Sequence, residues 1–338
     1  MKIIKKNIKL LIGIIIGILI SGSAVIAETI IEANHIKYSN SKTEKTNVQD
    51  AIDELYELSE SLKYDNTSFT AIILKNNKVI NKEPTLTTSI NNSNDESGLY
   101  KSTTTNSGSP TYYFRGNVEN NYVNFAEFTW RIVRINEDGT IRIVMQDGIN
   151  NNANIAFNSN YNNYSYMYYS NSEIRPVLEN WYQRNIGEKS NIAKNIATDS
   201  YYCEQAKVKY SGDYTSENAN MTVYSNYTPN FKCVTDGNGK GVINANVGLL
   251  SYDEVVYAGG YPYSNNTNYY LYNNTHFWTM SPAGISSGIS NVWNIYYPES
   301  FIHSNVPNLY SVRPVLILKS DTKVLKGNGS KNNPYVLL

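Results

Sequence analysis

A chain of 338 residues with 29 Lys+Arg against 29 Asp+Glu carries no net charge. It is long enough for one large domain or two ordinary ones, and it lacks the clustered positive charge on which nucleic-acid affinity depends. Charged residues make up 17%, below the ~25% of ordinary soluble proteins, and asparagine fills the gap at roughly one residue in seven. Two cysteines and three histidines leave little material for a zinc or iron–sulfur centre, so neither metal nor cofactor is expected.

Residues 1–27 read as a targeting segment. Lys2, Lys5, Lys6 and Lys9 form a basic flank, Leu10 to Ile20 an unbroken apolar run, and Val25 and Ala27 stand at minus three and minus one of a signal-peptidase cut. Counted through Ala27, the apolar stretch reaches about 18 residues, the lower limit for a membrane span. A cleaved signal peptide and an uncleaved hydrophobic anchor helix are both open, and either exports the remainder into an oxidising space. Residues 28–63 predict a short strand and then an amphipathic helix. Thr46 and Gln49 have capping-box spacing; Val48, Ala51, Leu55, Leu58 and Leu62 follow the a/d steps of a coiled coil. With only about two heptads, 47–62 is either a helix docked on the domain or a stalk that pairs copies of the chain into a homo-oligomer.

Residues 64–111 alternate a short apolar run, Phe69 to Leu74, with polar stretches such as 87–94, and read as a polar linker or peripheral β segment. Residues 112–338 read as one α+β domain, mixed and mostly antiparallel, with a few short helices. Its strongest signal is a hairpin: Trp130 to Ile135 and Thr140 to Met145 flank Asn136-Glu137-Asp138-Gly139. Asn150 to Asn171 is low-complexity Asn/Tyr/Ser and reads as a surface loop. Ser172 to Ile186 predicts a helix, with Ile174, Val177, Leu178 and Trp181 on one face. Val242–Leu250, His276–Met280, Asn291–Tyr296, Val312–Leu318 and Tyr335–Leu338 are the strand candidates beyond it.

Few motifs carry chemistry. Gly284-Ile285-Ser286-Ser287-Gly288 spells a nucleophile elbow, but no helix pattern follows it, and a loop is the better reading. His276 and His303 read as core or surface residues. Cys203 and Cys233 are the only cysteines; pairing them would close a loop of about 30 residues and contribute about 3–4 kcal/mol. Exposed tyrosine suits sugar rings and protein partners, so Tyr261, Tyr263, Tyr269, Tyr270, Tyr296 and Tyr297 form the candidate ligand surface. The alternative source of these clusters is composition alone.

Phe114-Arg115-Gly116, Asn121–Ala126 with Trp130–Ile135, Glu179–Tyr182, Ser251–Val255, Ala258-Gly259-Gly260, Phe277–Pro282, Val312–Val315, Gly327–Gly329 and Asn333–Tyr335 together resemble an uncharacterised family of exported proteins. That family comes from low-GC Gram-positive bacteria and relatives and carries a domain of unknown function; the resemblance covers about Tyr112 to Leu338, and the cysteine pair fits it. The Phe277–Pro282 and Val312–Val315 elements are loosely similar to the ends of C-type-lectin-like and formylglycine-generating-enzyme-like domains, which implies fold only. Lys45 to Leu55 resembles the neck segments of phage tail fibres. Together these readings imply an exported, surface-anchored or secreted protein that binds an extracellular glycan or protein without catalysis. The alternative is a secreted hydrolase acting on cell-wall or host glycans through Asp253 and Glu254. Those neighbours, expected in a strand, would point to opposite faces and could not share one reaction centre.

Overall fold

The computed structural model describes residues 48–53, 67–198, 201–205, 208–211, 220–223, 228–233, 241–296 and 300–337. The chain divides into two units, Met1–Glu60 and Ser61–Leu338. In the first, 48–53 are helical with Ala51 buried, and the Gln49 amide donates to Asp53 one turn on at 2.8 Å. The leader, the strand expected after it and most of the heptad run to Leu62 lie outside the described residues.

The second unit is α+β and grows from the hairpin around Asp138-Gly139. Gly139 takes φ 83°, Asp138 Oδ1 accepts from the Thr140 amide at 2.9 Å, and the turn joins β5 (Phe128–Ile135) to β6 (Ile141–Met145). β6 is buried along its whole length and β5 from Trp130 onward, the pattern of strands covered on both faces. β5 is therefore the spine of a nine-stranded sheet. One edge of β5 pairs with β6, which pairs with Val315–Leu318. The other edge is shared between β4 (Tyr122–Phe125) and β3 (Thr111–Arg115). β3 leads to β2 (Gly98–Ser102) and β1 (Val79–Ile80), and β4 to Tyr335–Leu337 and Val324–Lys326. A separate three-stranded antiparallel sheet comprises Phe277–Ser286, Ile289–Tyr296 and Ser300–Asn305. Its first turn holds Ser287 at φ 51° and Gly288 at φ 74°, the mirror-image turn that suits a hairpin. The nucleophile-elbow spelling is thus a strand end and its hairpin turn.

Three helices complete the core. α1 (Phe69–Asn76) starts at Ser68, whose hydroxyl accepts from the Ala71 amide at 3.2 Å, and buries Phe69 and Ile73 completely. The segment 67–111 therefore carries a core helix as well as strand β2 and the edge strand β1. α2 (Ile174–Tyr182) buries Ile174, Leu178 and Trp181, with Ser172 Oγ accepting from the Arg175 amide, and it runs into a π-helical turn, Gln183–Gly187. The Asn150–Asn171 segment is not the surface loop its composition suggests, because Phe157, Met167, Tyr168 and Tyr169 are all fully buried. Apolar side chains at that spacing anchor a polar stretch at about 1.5–3 kcal/mol each.

α3 (Tyr252–Ala258) is buried at all seven positions. Its capping box is reciprocal: Ser251 Oγ accepts from the Glu254 amide, and Glu254 Oε2 from the Ser251 amide. Asp253 and Glu254 are therefore in the first turn of a helix, not in a strand. Glu254 Oε1 lies 3.2 Å from Arg134 Nε and 2.9 Å from Arg142 Nε. At the other end, Arg115 Nη1 donates to the carbonyls of Val256 and Tyr257, the place where a cation relieves orphan carbonyls. Asp95 balances Arg115 at 2.9 Å, both side chains fully buried.

Cys203 and Cys233 form the disulfide, with Cα atoms 5.7 Å apart and 30 residues of separation. Beneath it lies a cavity of about 20 Å³ walled by Arg134, Arg142, Asp253 and Glu254.

Two stability outcomes follow from this frame. Glu254→Gln keeps a capping side chain but strands two buried cations, and it should lose about 3–5 kcal/mol in urea denaturation; a loss under about 1 kcal/mol would show that the charge contributes nothing. Cys203→Ser should cost about 3–4 kcal/mol, with Cys233→Ser and the double variant matching it within error.

Candidate functional site

A groove of about 740 Å³ opens where the β4–β5 turn, the segment after β6 and the C-terminal end of α2 meet. Unusual backbone builds its walls. Between β4 and β5, Ala126 and Glu127 take φ 52° and 68°, the mirror-image turn again, here without glycine. After β6, Asn150, Asn151 and Asn152 take φ 50°, 57° and 60° in succession, a left-handed turn of three consecutive non-glycine residues. Such a conformation costs an L-residue about 1–2 kcal/mol, and asparagine is among the few that visit it routinely.

The surroundings hold this turn in place. Ile149 is 1% exposed, and its amide donates to the Val312 carbonyl at 3.0 Å. Asn152 Oδ1 accepts from the Gly148 amide at 2.5 Å, so one asparagine side chain closes the loop. The side chains of Asn150 and Asn151 stay exposed. Trp181 forms part of the groove, packed against Phe128 at 5.3 Å and Trp130 at 6.3 Å. Asn185 Nδ2 donates to the Trp181 carbonyl at 2.8 Å. Glu127, Asp147 and Arg184 are the exposed charges of the lining.

A second groove, about 330 Å³, shares Asn152 with the first. Asn154, Asn274, Thr275, His276, Leu309 and Ser311 complete it. The His276 ring lies 4.0 Å from Tyr296 and 5.5 Å from Tyr310, centre to centre. Both grooves share one chemistry beside whatever charge they carry: amides that donate and accept together, near aromatic rings that cover apolar faces.

The tyrosines read as a ligand surface fall into different places. Tyr263 is 63% exposed with φ 56°, about 6.0 Å from both Trp293 and His303. Tyr261 is half-buried, and so is Tyr296, which borders the second groove through His276. Tyr269 and Tyr270 are buried at 2% exposure each and belong to the core; burial pushes both hydroxyls well up. That placement corrects their reading as ligand contacts: the Tyr270 ring packs beneath the Arg131 guanidinium and Tyr269 against Gly259 and Gly260, so neither ring is offered to solvent. Tyr297 lies outside the described residues. Asp253 and Glu254 are buried away from either groove, and Asp253 Oδ1 accepts from the Asn230 amide at 3.1 Å. Among the described residues no three His, Cys, Asp or Glu side chains converge to hold a metal ion, and no helix is long and apolar enough to cross a membrane.

The residues that sequence reasoning missed are Asn150, Asn151 and Asn152. A run of three asparagines after Gly148-Ile149 was the available signal, hidden inside a segment that looks compositional. Substitution separates their backbone role from their amides. Asn151→Ala should cost about 1–2 kcal/mol because a Cβ resists this φ, whereas Asn151→Gly should stay within a few tenths of wild type. Thermal melts of the pair that show no difference would rule out the left-handed turn.

A family model described as a domain of unknown function, DUF6273, matches residues 143–320, which takes in the left-handed turn, α2, α3 and the second groove. No curated protein and no solved structure matches the chain. By that match, which spans more than half of its length, the chain belongs to the DUF6273 family.

Proposed function

We propose that this is an exported protein, anchored at the cell surface or secreted, that grips a glycan in the asparagine-lined groove and does no chemistry on it. One observation carries the reading: strained backbone presents the exposed amides of Asn150 and Asn151 beside the Phe128–Trp181 pair. Strain of this kind persists where the surroundings over-determine it, and it clusters at ligand clamps. An amide pairs with two neighbouring hydroxyls at once, and an aromatic ring covers the apolar face of a sugar. The basic and apolar leader supports export, and a structural disulfide suits an oxidising compartment.

A secreted glycan hydrolase is the second reading, favoured by Glu127 and Asp147 lining the same groove. Paired carboxylates on one cleft are what glycoside cleavage needs, and Asp253 with Glu254 do not supply them.

The deciding experiment is a glycan array probed with the full chain and with an Asn150→Gly/Asn151→Gly variant, which keeps the turn and removes the amides. The wild type should capture a defined set of glycans, and the variant should melt normally and lose most of that signal. Equal capture by both would place the ligand elsewhere. Release of new reducing ends from a captured glycan, abolished by Glu127→Gln, would establish the hydrolase instead.

A further inference from the structure

We infer that the two grooves form one cleft, crossed at Asn152, and that its ligand is a linear neutral oligosaccharide lying across both rather than a single terminal sugar. This deepens the glycan reading and rests on it.

The partition between the grooves is thin. Gly148 lines the first groove and Ser311 the second, and a Cβ on Gly148 would collide with Ser311 Oγ. Asn152 belongs to both linings, its side chain tied down to the Gly148 amide. What separates the spaces is therefore one backbone strand and one amide, a crest that a ligand can lie across.

Each side of the crest offers an aromatic support. Half-buried Phe128 stands in the first groove, backed by the buried Trp181 ring. In the second, His276 is backed by Tyr296 and Tyr310. Rings at both ends with amides between them suit a chain of repeating rings joined by polar links. The second groove also holds one polar group with no counterpart in the protein: Ser311 is 1% exposed, and its hydroxyl has no hydrogen-bond partner. A buried hydroxyl left unmade costs about 1–3 kcal/mol, and a sugar hydroxyl reaching over Asn152 would supply the partner.

Charge decides the class of chain. Glu127, Asp147 and Arg184 are confined to the first groove, and the second contains no carboxylate, lysine or arginine. A polyanion or polycation would gain nothing there, whereas a neutral chain loses nothing.

The test is calorimetric titration of the full chain with chito- and cello-oligosaccharides of increasing length, monomer to hexamer. Affinity should rise by roughly tenfold or more as the second groove fills, and then level off. Leu309→Arg should reduce the hexamer to the affinity of the short oligomers and leave those unchanged. Leu309 is 59% exposed, so this change blocks the second groove without disturbing the core. His276→Ala should act in the same direction. Asn151→Gly, in the first groove, should weaken every length alike. Affinity independent of length, or a Leu309→Arg variant that weakens short and long oligomers equally, would overturn the single cleft while leaving the glycan reading standing. No binding at any length, beside a blank array, would remove the glycan reading and this inference with it.

Discussion

Glu254 sits between two buried guanidinium groups, and the architecture of the second unit follows from satisfying that arrangement. Arg134 and Arg142 come from opposite strands of the central hairpin, so both project from the same buried sheet. Removing them from water is costly; burial is the first cause of the lowered proton affinity of Arg134, with the neighbouring Arg142 next. One carboxylate answers two cations, and aromatic faces make up part of the remainder. Arg134 lies 4.8 Å from the ring of Phe231, and Arg142 4.7 Å from that of Tyr202. Tyr202 adjoins Cys203, and Phe231 stands two residues before Cys233. The disulfide thus fixes the two segments whose rings cover the charges, a packing role that needs no thiol chemistry.

The same logic extends to the other buried arginines. Arg131 is held between Tyr122 at 3.8 Å and Tyr270 at 5.2 Å while donating to Asn121 and the Val118 carbonyl. Arg313, pulled down to about 10 by burial, donates to the carbonyls of Met145 and Leu271. Met145 ends β6 and lines the groove together with the residues after it. Next to Arg313, the Val312 carbonyl accepts from Ile149. The left-handed asparagine turn is therefore fastened to a strut whose planar fork a lysine could not reproduce. A precise crest on a loop becomes possible because the loop starts on that strut.

How much of this could be read from the chain divides along physical lines. The β5–β6 hairpin was legible because alternation and Asp-Gly encode it locally, and the cysteine pair because there was only one way to make it. The face of α2 followed from helical spacing. α1 was missed because Phe69 to Leu74, apolar but for Thr70, is a run too short to show a period. α3 carried a local signal that went unread: Ser251 and Glu254 have capping-box spacing, and Gly259, at φ 118°, sits where a helix C-terminus calls for glycine. Tyr269 and Tyr270 could not be sorted from Tyr263 by sequence, because a tyrosine tolerates the core wherever its ring packs. The groove was least legible, since it joins residues from three distant segments.

Asparagine is so abundant here that any one of them invites a compositional explanation, and the way their amides are used answers it. Asn121 Nδ2 donates to the Ile132 carbonyl, Asn266 to that of Gly259, and Asn77 to that of Ile73. In each case the side chain satisfies a backbone group that sheet or helix leaves over, which is ordinary structural work for this residue. Asn152 does the same for Gly148. Asn150 and Asn151 differ: they adopt the costly backbone, yet their side chains stand exposed beside the aromatic wall. Strain that stabilises nothing internal has to be offset by the surrounding packing. The arginine frame, with Ile149 buried beneath the turn and Val312 holding its amide, does that here. Rigidity in the core and exposed amides at the crest are thus two ends of one arrangement: the buried charges fix the strands, the strands fix the turn, and the turn fixes two amides at the edge of the groove.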